Sequence, residues 1–595
     1  MTNQRSSIGS PEVVVVGSGL GGLSAAAYLA ALGKRVTLLE RYSTLGGSSH
    51  VFRRRGKWEF DCGVHYVGDC GPDGVVTALM RSLALDDRIH WLPLDQTAFD
   101  RIVGPDFGLD VPVGWNAFLA SLLAAFPDEQ RAVRRFHAIM HRLADSMDRR
   151  GPHRPGQNLA AWSMAAGWAA PFMAMPYAAM LSSCGFSPRA VLALSVQCGA
   201  LASSPLVMPT MAMAAFYQDY VGGGAYYPRG GGQILAAGFA EVINSHGGEI
   251  RTNAEVKQIL VDNRRVTGIR LADGETIATT TVVSDCDIIK TYTELVGLEH
   301  LPMVHRARVK SWRMSYPLIN GFFGVEFDVH SQPNSNYFAI PDWGVADSLL
   351  SLTRFSRRVI DGKGFDDGRD WARLMAQLQP MYLQSSSRRD PHHQAAAPQG
   401  HATIEVQTIT PSNPRLWGFD GYDVAAGEYR TGKRYKETKK IIVDGMLERM
   451  EQAYPGSSSH VRVAELGSPA TQTRFVGNSS GAPFGLSLRL DQAGPFRPGT
   501  QTPIEGLFRV GTSTVWGPGT VGSMVSGLHA AAVITGRNLI DEIRRGKVIA
   551  DPTLLSSWPD NFDSLEATRR LGRKASTVDT QRATATNVSS GGTPQ

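Results

Sequence analysis

The run EVVVVGSGLGG, Glu12 to Gly22, constrains the fold more than any other stretch of this sequence. Four consecutive valines without apolar–polar alternation describe a strand buried on both faces of a parallel sheet. Leu20 to Leu32 then reads as an Ala- and Leu-rich helix that Gly33 ends, and Arg35 to Glu40 as a second strand. The chain therefore opens with one βαβ unit, and such units build doubly wound α/β sheets. Gly17, Gly19 and Gly22 stand at the strand-to-helix turn with G-x-G-x-x-G spacing. The first permits the tight turn, the second lets backbone approach a pyrophosphate, and the third lets helix pack on strand. Free N–H groups at the helix start attract the anion. Glu40 ends the second strand about 20 residues on, where a carboxylate accepts hydrogen bonds from a ribose diol and repels a 2′-phosphate. Arg41, next in the chain, is assigned to the same dinucleotide site.

The same spacing recurs at Gly517, Gly519 and Gly522, inside GTSTVWGPGTVGS, Gly511 to Ser523. A second nucleotide unit would need a strand ending in an acid about 20 residues later. The chain there reads ITGRNLIDEIRRGKV, which is helix-like, so both ends are expected to fold around one dinucleotide. Between them the pattern predicts a helix over Gln233 to Ser245 and short strands around Glu249 to Thr252, Glu255 to Val261, Val266 to Leu271 and Glu275 to Thr279. A buried strand at Thr281 to Ser284, a strand at Leu507 to Gly511 and a helix over Gly522 to Asn538 complete it. The expected fold is α/β: a discontinuous Rossmann-type domain from residues 11–75, 222–299 and 501–545, with a second, apolar substrate domain from 76–221 and 300–500. The polar insertion Gln384 to Gly400, with His392 and His393, and the Ser/Thr/Arg/Gly-rich tail at 567–595 are expected to be disordered.

A formal charge of +6 is small for 595 residues, and no Lys/Arg block alternates with aromatics, which excludes a nucleic-acid groove. The basic residues near the C-terminus, Arg544, Arg545, Lys547, Arg569, Arg570, Arg573 and Lys574, read as a solvated helix end and tail, with contact to anionic lipid as the alternative. Five cysteines, Cys62, Cys70, Cys184, Cys198 and Cys286, form no C-x-x-C pair and no metal-ligand cluster, so no metal is expected and they read as small buried hydrophobes. No apolar stretch of signal-peptide type precedes the first strand, and a cytoplasmic location is the expectation. Pro155 to Gln218 carries a single formal charge, Arg189, and is rich in Ala and Met. It reads as a core of packed helices, as a Met-lined apolar tunnel, or as a patch for peripheral membrane contact.

Further motifs identify the dinucleotide. LGGSSHVF (Leu45 to Phe52) and WEFDCGVHYVGD (Trp58 to Asp69) resemble the flavin amine-oxidase and phytoene-desaturase superfamily. GGSSHVF and FDCGVHYVG are closer still to the GGCCHTF and FDTGIHYIG of its carotenoid isomerase and retinol saturase branch. YYPRGGGQILAAGFAEVINSHGGEI and EVKQILVDNRRVTGIRLADGE are similar to two further family segments.

The resemblance implies FAD as the cofactor. It places Gly46, Gly47 and Ser48 against the ribityl and pyrophosphate, backbone near Val256 on the adenine, and Gly511 at the pyrophosphate. It also implies that Gly522, Ser523 and Met524 start a helix facing the flavin N1/O2 edge. Thr512 stands where many relatives carry an acid.

The activity implied is desaturation, saturation or isomerisation at C–C or C=C bonds of a hydrophobic polyene, carotenoid, retinoid or other isoprenoid lipid. His65 and Tyr66 would lie near the isoalloxazine, as proton carriers or as wall residues. A flavin amine oxidase, with a polar or aromatic cage, and a non-catalytic FAD-containing lipid-binding or scaffold protein are the alternatives.

Overall fold

The computed structural model describes residues 11–146, 159–559 and 561–571. The valine strand Val13–Val16 is buried at every position and pairs in parallel with Val36–Leu39 on one side and Val282–Ser284 on the other. Glu249–Arg251 extends the sheet beyond the first neighbour, and Leu507–Arg509 beyond the second, again in parallel. Parallel neighbours need long crossovers, and here segments hundreds of residues apart supply them. Helices Leu20–Ala31, Gln233–Ser245 and Gly519–Thr535 share the core of this sheet. The first and last approach closely through small residues, and the Ser24 hydroxyl donates to the Met524 carbonyl at 2.8 Å.

A seven-stranded sheet forms the other half, in the order 461–467, 318–325, 402–409, 381–384, 336–339, 100–104 and 107–111. Every residue of Leu318–Val325 and Ala402–Ile409 is buried. Buried Trp371, Trp417, Met446 and Met450 pack with this sheet in one core. The apolar stretch of the sequence, where described, folds as short packed helices, Leu159–Ala166, Tyr177–Cys184, Pro188–Ser195 and Thr210–Tyr217. Met173, Met180, Met208 and Met213 fill their core. No helix among the described residues is long and apolar enough to cross a membrane.

Four expectations are corrected. Gln384 to Gly400 is ordered: Gln384 ends the strand Met381–Gln384, and Ser386–Arg389 forms a helical turn capped by Ser385. Gln384, Ser385, Ser386, Ser387, Arg389 and Asp390 are buried, with hydrogen bonds inside the protein from Gln384 to Glu405, between Ser387 and Thr403, and from Arg389 to Asn336. Residues 567–571 are ordered, since Ser564–Leu571 is a helix with Leu565 and Thr568 buried and Thr568 bonded to Gln233; the rest of that expectation, 572–595, lies outside the described residues. The late glycine-motif helix starts at Gly519 rather than Gly522. Cys70, Cys184 and Cys198 are buried, but Cys62 and Cys286 are only half-buried and border a cavity; all five are free thiols.

Candidate active site

The sheet strands direct their carboxyl ends into one large cavity of about 510 Å³, bordered by Val16, Leu39, Asp285 and Val510. Gly17, Gly19, Glu40, Arg41, Gly46, Gly47, Ser48, His65, Tyr66, Val256, Gly511 and Ser523 all border it. Gly22, Gly522 and Met524 do not. A Cβ at Gly22 would overlap the Gly17 carbonyl oxygen, one at Gly522 would overlap the Gly517 carbonyl, and Met524 is fully buried between helices. These three serve the packing of the loops rather than their surface.

Two helix N-termini open into the cavity. Leu20–Ala31 is preceded by Gly19 and Gly519–Thr535 by Pro518, and neither start has a side-chain cap. Gly21, Gly519 and Thr520 border the cavity, so first-turn backbone of both helices lies at its wall, where the helix dipoles favour an anion. Glu40 is held at the rim. Its Oε2 accepts from the Ser18 N–H at 2.9 Å and hydroxyl at 2.7 Å, and its Oε1 from the Tyr42 N–H at 2.7 Å. Arg41 donates to the carbonyls of Arg474 (3.1 Å) and Phe475 (3.4 Å), tying the rim to the other half of the molecule.

Two charged residues of the cavity wall escaped the sequence reading. Arg497 borders the cavity, and its guanidinium donates to the carbonyls of Thr512 (2.6 Å), Leu486 (3.0 Å) and Thr514 (3.0 Å) with no carboxylate partner among the described residues. Burial pushes its pKa down to about 9. An uncompensated buried cation at a cavity wall suits an anionic ligand. Asp285 lies against the glycine loop, and a Cβ at Gly21 would sit 2.8 Å from its Oδ1. Its Oδ2 is sealed from water and has no hydrogen-bond partner. Burial raises its pKa from 3.8 to about 7, Glu40 adds to the rise, and the amides of Gly22 and Gly19 oppose it. Uncapped helix starts, the fixed carboxylate Glu40 and the cation Arg497 together fit a pyrophosphate-containing dinucleotide.

Farther along the cavity, burial and the charge of Arg389 push the His65 pKa down to about 3, so its ring is neutral. Nδ1 faces the Gln384 amide at 3.0 Å, and Nε2 faces the Gln407 amide. Gln384 reaches Glu405 at 2.5 Å, and the Ser386 hydroxyl lies 3.2 Å from Glu405 and 3.1 Å from Asp61, which also accepts from Tyr227. Burial raises the Glu405 pKa to about 8, with Asp61 contributing. The Tyr66 ring packs on Tyr220, with centroids 4.5 Å apart, and stacks on Tyr382 at 6.1 Å; its buried hydroxyl has no partner. Gln384 and Glu405 were missed because one sat in a segment read as disordered and the other in a strand of unremarkable pattern. Among the described residues no His/Cys/Asp/Glu group could hold a metal ion.

A profile of the flavin containing amine oxidoreductase family matches residues 20–288. Prolycopene isomerase 1, chloroplastic, of an Oncidium hybrid cultivar is 23% identical over 534 residues, covering 87% of this chain and 83% of that protein. Human all-trans-retinol 13,14-reductase is 25% identical over 575 residues, covering 90% and 87%. Among solved structures, cyclohexylamine oxidase from Brevibacterium oxydans superposes with a TM-score of 0.56 at 14% identity, covering 90% of this chain and all of that one, which speaks to fold alone. With its cavity at the carboxyl ends of a Rossmann-type sheet and relatives of this kind across most of its length, the chain is an FAD-dependent oxidoreductase and a relative of the carotenoid isomerase and retinol saturase family.

Proposed function

We propose that this enzyme desaturates, saturates or isomerises C–C or C=C bonds of an extended hydrophobic polyene or isoprenoid. The observation that carries the reading is the continuity of one cavity from the glycine loops to Trp162, Leu201, Met211, Ala212 and Phe216, all from the charge-depleted stretch. The names of the two relatives, an isomerase of prolycopene and a reductase of all-trans-retinol, denote polyene chemistry. An apolar ligand there would gain about 25 cal/mol for each Å² buried, so affinity should rise with chain length.

The Gly17–Gly21 turn and the first amides of Leu20–Ala31 would hold the FAD pyrophosphate, Glu40 a ribose and Val256 the adenine side. Gly46, Gly47, Ser48, Gly511, Ser523 and the start of Gly519–Thr535 would hold the flavin end, with Arg497 supplying positive charge. Gly22, Gly522 and Met524 would support those loops from behind. When bound there, FAD would supply the hydride donor or acceptor for a substrate carbon. Saturation also consumes a proton, desaturation releases one, and isomerisation does neither on balance. Tyr66, whose hydroxyl has no protein partner, and neutral His65 are the groups at the wall that would carry that proton. The amine-oxidase reading would need a polar or aromatic cage for an amine rather than the charge-depleted stretch, and the Tyr66 ring is already in contact with Tyr220 and Tyr382.

The placement that accompanies this reading is cytoplasmic with peripheral membrane contact. Met164 and Trp168, 75% and 60% exposed, neighbour cavity-lining Trp162 in the chain and offer apolar surface for a bilayer. Sedimentation with neutral-lipid vesicles should resist high salt and be lost in Met164→Ser/Trp168→Ser; recovery of the unaltered protein wholly in the supernatant would refute it. The catalytic reading is tested by incubating holoenzyme with a polyene panel and reading product mass and double-bond geometry. A change of two hydrogens or a shifted geometry supports it, and turnover of simple amines alone would reverse it.

A further inference from the structure

The hydrogen-bond network around His65 fixes more than a ring orientation. Neutral imidazole has one N–H, yet an amide faces each of its nitrogens. Gln384 is assigned as a donor, because its Nε2 lies 2.5 Å from Glu405 Oε2 and 3.3 Å from the Ser386 hydroxyl. Its second N–H therefore reaches His65 Nδ1, which accepts, and the imidazole proton sits on Nε2. The Gln407 amide must then present its oxygen to that N–H. Glu405 satisfies this arrangement in its protonated form as well, since an O–H on Oε1 can pass along Ser386 to Asp61. Either way the Gln407 NH2 group is turned from His65 toward the space it borders.

That space includes a second cavity. Gln407 borders both the main cavity and one of about 90 Å³ walled by Val191, Leu192, Phe355 and Ile360. Three polar atoms at its wall, Ser195 Oγ, Ser203 Oγ and Gln379 Oε1, are buried without a partner; their residues are 7%, 1% and 4% exposed. Buried polar groups are ordinarily paired, and three orphans around one small cavity call for a ligand. No Asp, Glu, Lys, Arg or His side chain borders it, and burial keeps the Cys198 thiol at its wall neutral, so a charged group is disfavoured. A hydroxyl suits it: the O–H donates to Gln379 Oε1, and the oxygen accepts from the Gln407 N–H and a serine.

We propose that this cavity is a subsite for the hydroxyl-bearing end of an otherwise apolar chain, with the Gln407 amide, oriented through Gln384 and His65, as its donor at the entrance. The proposal rests on the polyene reading above and narrows it from hydrocarbons to chains carrying an alcohol.

The test compares all-trans-retinol with the deoxy hydrocarbon of the same skeleton, each titrated into oxidised holoenzyme under anaerobic conditions, with binding read from the flavin absorbance change. The unaltered enzyme should bind the alcohol about tenfold more tightly, as expected for one to two added hydrogen bonds. Ser195→Ala/Ser203→Ala and, separately, Gln407→Leu should bring the ratio near one while leaving hydrocarbon affinity within about twofold. Because the serine substitutions only remove hydroxyls, flavin content and melting temperature should match the unaltered enzyme. Equal affinities in the unaltered enzyme, or a ratio that survives both variants, would overturn the subsite alone. If neither compound binds, the polyene reading fails and the subsite falls with it.

Discussion

Replacing Asp285 by asparagine should change how the protein holds its flavin. The carboxyl sits among the glycines of the loop, with Oδ2 sealed and unpartnered, and its pKa is raised from 3.8 to about 7, mainly by burial. A rise of that size corresponds to about 4 kcal/mol as an upper bound for the apoprotein. Because the folded value lies above the unfolded one, this stability is fully present below about pH 4 and declines as pH rises to 7, above which the loss is complete. FAD adds negative charge beside the same amides and lifts the carboxyl pKa further, so binding above pH 7 must take up a proton. The expected result is FAD affinity that is flat from about pH 6 to 7 and falls by up to about tenfold per unit above it. The asparagine side chain stays neutral at every pH, so Asp285→Asn should show no such slope and bind FAD more tightly at about pH 8.5. The assay is quenching of FAD fluorescence on titration of deflavinated protein at half-unit pH steps. Identical pH slopes for both proteins, or no slope in the unaltered one, would refute the reasoning.

Gly22→Ala should abolish flavin retention and lower the melting temperature by several degrees, because its Cβ meets a main-chain oxygen that cannot move without opening the loop; release of normal flavin on denaturation would contradict this. Denatured holoprotein should release one FAD per chain and no nicotinamide dinucleotide, since the second glycine motif closes the same cavity as the first; two dinucleotides would contradict it. Burial would lower the pKa of His393, but its bond to Glu59 at 2.8 Å and that residue's charge raise it overall. Its contribution is therefore full below about pH 6.5 and lost as pH rises through the raised value, so Glu59→Gln should cost more melting temperature at about pH 5.5 than at about 8.5. A constant difference would remove His393 from the account. Tyr66→Phe should slow any proton-coupled turnover by at least about tenfold while leaving flavin content unchanged, and unaltered rates would leave Tyr66 as a wall residue.

The nucleotide end was legible in the sequence because its physics is local. A strand, a glycine turn and a helix are contiguous in the chain, and the burial of Val13–Val16 and the place of Glu40 follow from spacing alone. The late motif also declared itself, though Gly519 rather than Gly522 opens its helix, since Pro518 already supplies a helix-entry conformation. The substrate end was not legible. Its walls come from stretches around 62–66, 200–220, Tyr382, Gln407 and 483–497, and no periodicity announces that Gln384 will meet His65 or that Arg497 will reach Thr512. The polar stretch after Gln384 misled for a definable reason: low hydrophobicity signals disorder only when the polar groups must find water, and here Asp61, Glu405 and Asn336 receive them.

The most direct test of the central claim is anaerobic mixing of all-trans polyenes with oxidised holoenzyme and, separately, with dithionite-reduced holoenzyme, following flavin absorbance and product double bonds together. The account predicts that a polyene bleaches the oxidised flavin, reoxidises the reduced one, or changes geometry only in the presence of reduced flavin, with no response to simple alkylamines. Bleaching by an amine, with every polyene returned unchanged in both redox states, would contradict it.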